Sequence, residues 1–465
     1  MAAKPTGIQR GGIARSFGIS LAGARAGGAL AIDGLLQKLK PGEDKTPTAF
    51  ARREARHFVA ELGKLKGTYV KIGQMFALLG EHFLPRVLTE ALHELESHTQ
   101  ALPWSVIRPV LQASLGDRFS ELRIEKRAIA AASLAQVHRA TIISSGEQIC
   151  LKIQYPGVAE VIDADFDMVV RMLLLARWIK NGRELDDWLQ AMRMQLHHEI
   201  DYLREARMTD RMAAHVLQLN ATLPAGGTSY HVPTRYPRYC TQDILALEYI
   251  DGHLVTQAEV AGLSQARRNA LGKNMLELFF CELYQWGLLQ TDPNFGNYLI
   301  RLGNSGGDND ELVLLDFGSV LDCQRDFLHH LGNTILAGQE NDRVLLLESL
   351  IGLGCLQEHS AAQAKDSFSD FCLHLLEPLR PPENLPTQYL NDKGEYCWGK
   401  SQLLRRAGKN AANSAVSRQF ALPSREFAMI ARKLTGVFTF IAVLNAEFNA
   451  HDLVHRYIAR WMEET

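Results

Sequence analysis

Between Pro47 and His98 apolar residues recur at helical spacing (Leu62, Leu65, Val70, Ile72, Met75, Leu78, Leu79), which predicts helix over most of that stretch. Pro103 is placed to open a further short helix, because the first helical N–H has no partner to lose. From Leu122 the period changes. Ile124 to Ala128, Ala135 to Ile143 and Gln148 to Gln154 read as strands, with Ser144-Ser145-Gly146-Glu147 supplying the turn between the last two. Helical patterning returns from about Val158 to Lys180 and from Asp186 to Leu219. His231 to Thr234 and Ile244 to Tyr249 read as a strand pair, closed by Asp251-Gly252. From Ser264 the chain is mostly helical, interrupted by a hairpin of Tyr298–Arg301 and Leu312–Leu315 whose tip, Gly303 to Asp310, is a loop by composition. Pro378 to Lys400 reads as a long surface connection.

This pattern predicts an α+β chain with a small antiparallel sheet and a mainly helical C-terminal half. Its expected divisions are an arm over 1–46, a helical extension over 47–121, a sheet lobe with a helical insertion over 122–252, and a helical lobe over 253–465.

The chemistry is concentrated late in the chain. Thr291-Asp292-Pro293-Asn294-Phe295-Gly296-Asn297 precedes the hairpin, and Asp316-Phe317-Gly318 closes it. An Asp with an Asn five residues on, then a hairpin ending in Asp-Phe-Gly, is how kinase-like proteins hold ATP and its magnesium. Asp292 takes the place of the catalytic Asp. Asn297 and Asp316 are oxygen ligands suited to Mg²⁺, a hard cation. The usual His-Arg before the first Asp is absent, and Gln290-Thr291 stands there.

Lys152, a single Lys in the apolar strand Ile149-Cys150-Leu151-Lys152-Ile153, fits the phosphate-binding Lys of a kinase-like sheet, with Glu205 as its partner. Taken alone, it reads better as a Lys snorkelling from a half-exposed strand. Followed in order by Glu205, Asp292, Asn297 and Asp316, it does not. Leu247-Glu248-Tyr249-Ile250-Asp251-Gly252 fits a hinge whose backbone meets adenine, although any strand ending in a turn would look the same. Ala130-Ala131-Ala132-Ser133 occupies the position of a Gly-rich phosphate loop, where alanines stiffen the turn and restrict access. After Asp316-Phe317-Gly318 the chain enters a helical pattern from Arg325, with no Ala-Pro-Glu and no room for a peptide-binding activation segment.

Composition narrows the class only a little. At 465 residues there is material for two or three lobes, and 46% hydrophobic with 22% charged residues is ordinary globular usage. A net charge of −2 gives no support for nucleic-acid binding. Gly436 to Leu444, the longest strongly apolar run near the end, is too short to span a bilayer. The seven cysteines form no C-x-x-C pair, which favours a reducing compartment over a disulfide or zinc framework. From Met1 to Ile32 there is no acidic residue beside Lys4, Arg10, Arg15 and Arg25, a pattern shared by transit peptides, membrane-surface segments and plain flexible arms.

From about Gly63 to the C-terminus the chain resembles the UbiB family of atypical kinase-like proteins. The resemblance rests on Lys71-Ile72-Gly73-Gln74 as the Lys-x-Gly-Gln motif, Ala130-Ala131-Ala132-Ser133 as the Ala-rich loop, and Glu199-Ile200-Asp201 as the Glu-x-Asp motif. Gln290-Thr291-Asp292-Pro293-Asn294 is similar to the form in the coenzyme Q branch. The resemblance implies a two-lobed protein-kinase-like fold with the helical extension packed over the active site. Lys71, Gln74, Glu199 and Asp201 would then close the pocket where a peptide would lie. It implies ATP or ADP with Mg²⁺, and support of ubiquinone biosynthesis by an atypical kinase or ATPase. The implied setting is a peripheral membrane surface, on the cytoplasmic side of a bacterial inner membrane or the matrix side of a mitochondrial one. Implied partners are a lipid or quinone precursor and quinone-biosynthesis enzymes, with a homodimer left open. The C-terminal transmembrane pair of some members has no counterpart in this sequence. A non-catalytic nucleotide-binding scaffold or lipid-handling protein, and a small-molecule phosphotransferase, are the competing readings.

Overall fold

The computed structural model describes residues 49–65, 67–79, 84, 86–93, 101–175, 179, 183–223, 228–303, 309–407 and 424–464. The arm expected over 1–46 and most of the hairpin tip lie outside them. Two compact units result. The first holds the described residues up to Arg207 together with Thr234–Tyr249, and the second holds Met208–Pro233 together with those from Ile250 onward.

In the first unit, helices α1 (Ala49–Leu65), α2 (Thr68–Leu79) and α3 (Arg86–His93) share one apolar core with α5 (Val158–Leu175) and α6 (Arg183–Ile200). Phe58, Ile72, Leu88, Phe166 and Leu196 are its centre. The ring of Phe76 meets Trp188 edge-on at 5.4 Å. A buried polar link joins two of these helices: the Thr68 hydroxyl donates to the buried carboxylate of Asp165, which offsets part of the cost of burying it.

Helix α4 (Trp104–Leu115) leads into the sheet. Strands β1 (Leu122–Ile124), β3 (Ala135–Ile142), β4 (Gln148–Gln154) and β6 (Ile244–Glu248) run in that order, all antiparallel, and β2 (Ala130–Ala131) pairs with β3. The expected turn joins β3 to β4, with Gly146 at φ +78°, a conformation that glycine adopts without strain. Side chains alternate across a strand, so Ile149, Leu151 and Ile153 point one way, fully buried against Ile107, Leu111 and Leu115 of α4. Lys152 therefore points the other way.

In the second unit α8 (Gln265–Tyr284) is buried nearly all round in its C-terminal half, from Leu276 to Tyr284, as expected of a helix at the centre of a core. Strand β7 (Leu288–Gln290) pairs antiparallel with β10 (Val320–Asp322). A second sheet has the order β5 (Ser229–His231), β9 (Glu311–Leu314), β8 (Tyr298–Arg301). Helices α9 (Arg325–Glu340), α10 (Arg343–Gly352), α11 (Ala362–Leu375), α12 (Arg425–Val443) and α13 (His451–Glu463) complete the unit. Among the described residues no helix is long and apolar enough to cross a membrane.

Three sequence expectations change. The strand expected at His231 to Thr234 lies at Ser229–His231 and pairs in parallel with β9, whereas β6 pairs with β4 and meets the expected segment only through an isolated antiparallel bridge between Arg235 and Leu247 and its flanking bonds. Pro233 carries no N–H for a ladder, so pairing ends before it. The strand expected at Ile124 to Ala128 ends at Ile124, and pairing resumes at Ala130. The stretch from Pro378 to Lys400 is not a surface connection throughout. Leu379 and Tyr396 are fully buried and Trp398 is 2% exposed. Short 3₁₀ turns there follow the prolines, while the apolar residues between them plug the core.

Shortening Leu151 would leave a cavity beneath the strand that carries Lys152. Leu151→Ala is expected to cost about 2–4 kcal/mol, read as a lowered denaturant midpoint of the purified chain. A midpoint equal to the parent's would contradict the packing described.

Candidate active site

Lys152 Nζ lies 2.7 Å from Glu205 Oε1 and 2.9 Å from Oε2, so the two form a two-point ion pair. Glu205 is 2% exposed and sits in the first turn of α7 (Tyr202–Asn220). Asp201 caps that helix, its Oδ1 accepting the Arg204 N–H at 2.9 Å. The helix dipole favours a carboxylate in the first turn, so Asp201 and the helix start together set Glu205 in place. The same segment carries Glu199, whose Oε1 is 2.6 Å from Lys71 Nζ on α2. The Glu-x-Asp motif thus divides its work: Glu199 takes Lys71 and Asp201 takes the helix end. Gln74, one turn beyond Lys71, is half-buried.

The Ala-rich loop is the β2–β3 hairpin. Ala130 is opposite Val137, which on its other side is opposite Lys152. The Ala132 N–H donates to the Ala135 carbonyl at 2.8 Å, closing a tight turn that also contains Ser133. This puts the loop one strand from the Lys152–Glu205 pair. At the end of β6, the Glu248 N–H donates to Thr234 O at 2.8 Å and the Tyr249 N–H donates to Gln148 O at 3.1 Å. Both backbone donors expected to meet adenine are therefore engaged in the sheet.

In the second unit the hairpin register positions Asn297 and Asp316, the two residues expected from the sequence to bind metal. Tyr298 is opposite Leu314, and the Leu315 N–H donates to Asn297 O at 3.0 Å. Antiparallel pairing thereby brings Asn297 to the end of the hairpin where Asp316 emerges. Asn297 Nδ2 donates to Asp292 Oδ2 at 3.0 Å, which turns its Oδ1 away from Asp292. Asp316 Oδ1 accepts the Gly318 N–H at 2.9 Å. Asn297 and Asp316 line one small crevice together with Gln290, Tyr298 and Glu282. The donor types, an amide and a carboxylate at one end of the hairpin, suit Mg²⁺, which takes few protein oxygens and completes its shell with phosphate and water.

Arg432 and Lys433 escaped the sequence reading, which noted Gln290 and Thr291 only as a departure from the usual His-Arg. Arg432 of α12 places Nη2 3.1 Å from Asp292 Oδ1, so each oxygen of Asp292 meets a donor. Gln290 Nε2 donates to Asp292 O at 2.9 Å and to Asp316 O at 3.1 Å. Thr291 ties the same loop to Ser319, N–H to carbonyl at 2.9 Å and hydroxyl to hydroxyl at 2.6 Å. Lys433, 1% exposed, donates to Gln290 Oε1 at 2.6 Å and to the Tyr298 hydroxyl, and lies 3.9 Å from Glu282. Burial pushes the Glu282 carboxyl up to about 7 against the pull of Lys433, and burial lowers the Lys433 ammonium. A sequence signal for Lys433 did exist. It falls among the apolar positions Ile430, Leu434, Val437 and Ile441, where α12 is otherwise buried.

A small antiparallel sheet with a paired Lys and Glu, and a helical unit whose hairpin gathers Asp, Asn and Asp, define a protein of the kinase-like class. Residues 94–350, more than half of the chain, match the ABC1 atypical kinase-like domain, and the chain belongs to that family. It is 27% identical over 403 residues to the mitochondrial atypical kinase COQ8 of Saccharomyces cerevisiae, covering 86% of this chain and 75% of that protein. Against the mitochondrial atypical kinase COQ8B of Rattus norvegicus the identity is 27% over 412 residues, covering 87% and 72%. The Schizosaccharomyces pombe COQ8 is matched over 62% of its length. Among solved structures, Rv3197 of Mycobacterium tuberculosis, determined with erythromycin, shares the fold with a TM-score of 0.57 at 23% identity, over 92% of this chain and 98% of that one.

Replacing Glu205 with Gln would remove the carboxylate that meets Lys152, whose side chain is 21% exposed, at two points. Glu205→Gln is expected to lower stability by about 2 kcal/mol, read from thermal unfolding followed by circular dichroism. Double replacement with Lys152→Met should recover part of that loss, and full additivity would show the pair to be uncoupled.

Proposed function

We propose that this chain binds ATP or ADP with Mg²⁺ and acts as an atypical kinase or ATPase in support of ubiquinone biosynthesis, peripheral to a membrane. The observation that carries the reading is the hairpin register that sets Asn297 beside Asp316 with Asp292 bonded to Asn297. The two-point Lys152–Glu205 pair on the sheet of the first unit adds to it.

In this reading Lys152, held by Glu205, neutralises the α- and β-phosphates. Asn297 and Asp316 hold Mg²⁺, which screens the phosphate charge when bound. Asp292 orients the attacking oxygen. The Ala130-Ala131-Ala132-Ser133 hairpin borders the nucleotide, and the segment at Glu248 and Tyr249 faces the base through groups other than its two engaged N–H donors. Lys71, Gln74, Glu199 and Asp201 form a helical closure that excludes a peptide, with the Lys71–Glu199 pair as its clasp. The acceptor is then water or a small lipid-borne group. The names of the yeast and rat relatives support the kinase class and a mitochondrial setting. The corresponding location is the matrix side of an inner membrane, or the cytoplasmic side in a bacterium. Partners would be a quinone precursor and the enzymes that process it.

A nucleotide-governed scaffold is the second reading, favoured by the Arg432 and Asn297 donors that occupy both oxygens of Asp292. Phosphate release by the purified chain, with and without vesicles containing a quinone precursor, separates the two. Asp292→Asn is expected to reduce turnover by about a hundredfold or more while ADP binding persists. Equal turnover in parent and variant would remove Asp292 from the chemistry, and absence of turnover in the parent would favour the scaffold.

A further inference from the structure

We infer that Lys433 is a positioning residue for the metal site, acting through Gln290 to fix the spacing between the Asp292 loop and the Asp316 loop. The inference rests on the nucleotide and Mg²⁺ reading above and adds a residue outside the motifs singled out in the sequence.

The argument begins with the two ends of one amide. Gln290 has an oxygen that can only accept and a nitrogen that can only donate. Its Nε2 donates to the backbone carbonyls of Asp292 and Asp316, at 2.9 and 3.1 Å. One side chain therefore staples the residue expected to do chemistry to a residue expected to hold metal. Those two acceptors already favour this orientation of the amide. Lys433 reinforces it from the other end, because an ammonium offers donors alone. Its Nζ is 2.6 Å from Gln290 Oε1, and the Tyr298 hydroxyl donates to the same oxygen at 2.9 Å. With two donors on Oε1, only Nε2 can face the two carbonyls.

A bare packing role does not account for this lysine. Burying an ammonium at 1% exposure is costly, and the apolar stripe of Ile430, Leu434 and Val437 would accept Leu or Met at the same place. The rest of the helix face is directed at the same loop. Arg432 reaches Asp292, and Phe440 meets Phe295 and Tyr298 edge-on at 6.0 Å each. A Cβ built on Gly436 would stand 2.1 Å from Pro293 Cβ, so the helix backbone lies directly against the loop. Positions 432, 433, 436 and 440 lie on adjoining rows of one helix. Helix α12 thus acts as a seat for the catalytic loop, and Lys433 is its polar anchor.

The test measures ADP binding by calorimetry across a Mg²⁺ titration, and also with the metal chelated. Lys433→Met removes the donor at similar length. Gln290→Glu keeps the contact with Lys433 but replaces the stapling N–H groups with oxygen. Both variants are expected to bind ADP without metal as the parent does, and to need about tenfold more Mg²⁺ for its half-maximal effect, the usual cost of loosening support behind metal ligands. Gln290→His, which can restore a donor, should recover part of the shift. An unchanged Mg²⁺ midpoint in folded Gln290→Glu overturns the inference, whether or not Lys433→Met folds. No Mg²⁺ effect on ADP binding in the parent overturns the nucleotide and metal reading instead.

Discussion

The antiparallel register of β8 and β9 is the constraint on which the chemistry of the second unit depends. Side chains alternate along a strand, so a slip of one residue would turn Asn297 and Asp316 to opposite faces. The register is held in four ways. The ladder runs from Tyr298 and Leu314 to Arg301 and Glu311, and β5 adds a parallel edge to β9. Arg301 and Glu311 close the far end with an ion pair at 2.7 Å. Leu312 and Val313 are fully buried, so β9 cannot shift without exposing them. Precision at two polar side chains is thus obtained from the apolar strand between them.

Buried charge serves more than one purpose in this chain. Glu377 is held by Arg406 at 2.7 Å and by the Tyr396 hydroxyl at 2.8 Å, and the Arg406 guanidinium keeps its carboxyl below the usual range despite burial. That network fastens the connection after α11 and touches none of the residues expected to handle nucleotide. Lys152 with Glu205, and Lys433 with Gln290 and Glu282, use the same chemistry at the sites themselves. What separates the two kinds is the far end of the contact. The Glu377 cluster ends on Tyr396, Arg406 and the Ser401 carbonyl, whereas Gln290 passes its donors on to backbone atoms of Asp292 and Asp316.

Much of this was legible in the sequence, for identifiable reasons. Local rules located the β3–β4 hairpin, because Gly146 and its polar neighbours mark the turn and the alternation on either side marks the strands. The order of Lys152, Glu205, Asp292, Asn297 and Asp316 indicated a kinase-like class, and the family match agrees with it. Long-range pairing was not legible. β5 joins β9 across about eighty intervening residues, and nothing in Ser229–His231 names that partner. Lys433 was missed for a related reason. A lysine on a helix reads as solvent-facing by default, and only the burial of its neighbours shows that it points inward. The closeness of Gly436 to Pro293 likewise became visible only when two distant segments met.

The absent His-Arg before Asp292 then takes on a different meaning. A loop of this kind needs its backbone fixed relative to the metal-binding loop, and any group with suitably placed donors can do that. Gln290 supplies two such bonds from a single nitrogen, which a singly protonated ring nitrogen would have to share between two acceptors. Thr291 supplies the parallel link to Ser319, extending the β7–β10 ladder by one step toward Asp316-Phe317-Gly318. The amide achieves this only if its oxygen is satisfied from behind, and that donor comes from a helix well over a hundred residues further along the chain. The dipeptide that looks like a loss in the motif is therefore one half of a device whose other half is α12. A substitution of Gln290 by His alone would take from the buried Lys433 ammonium the amide oxygen at 2.6 Å, leaving it the Tyr298 hydroxyl and the Glu282 carboxylate 3.9 Å away.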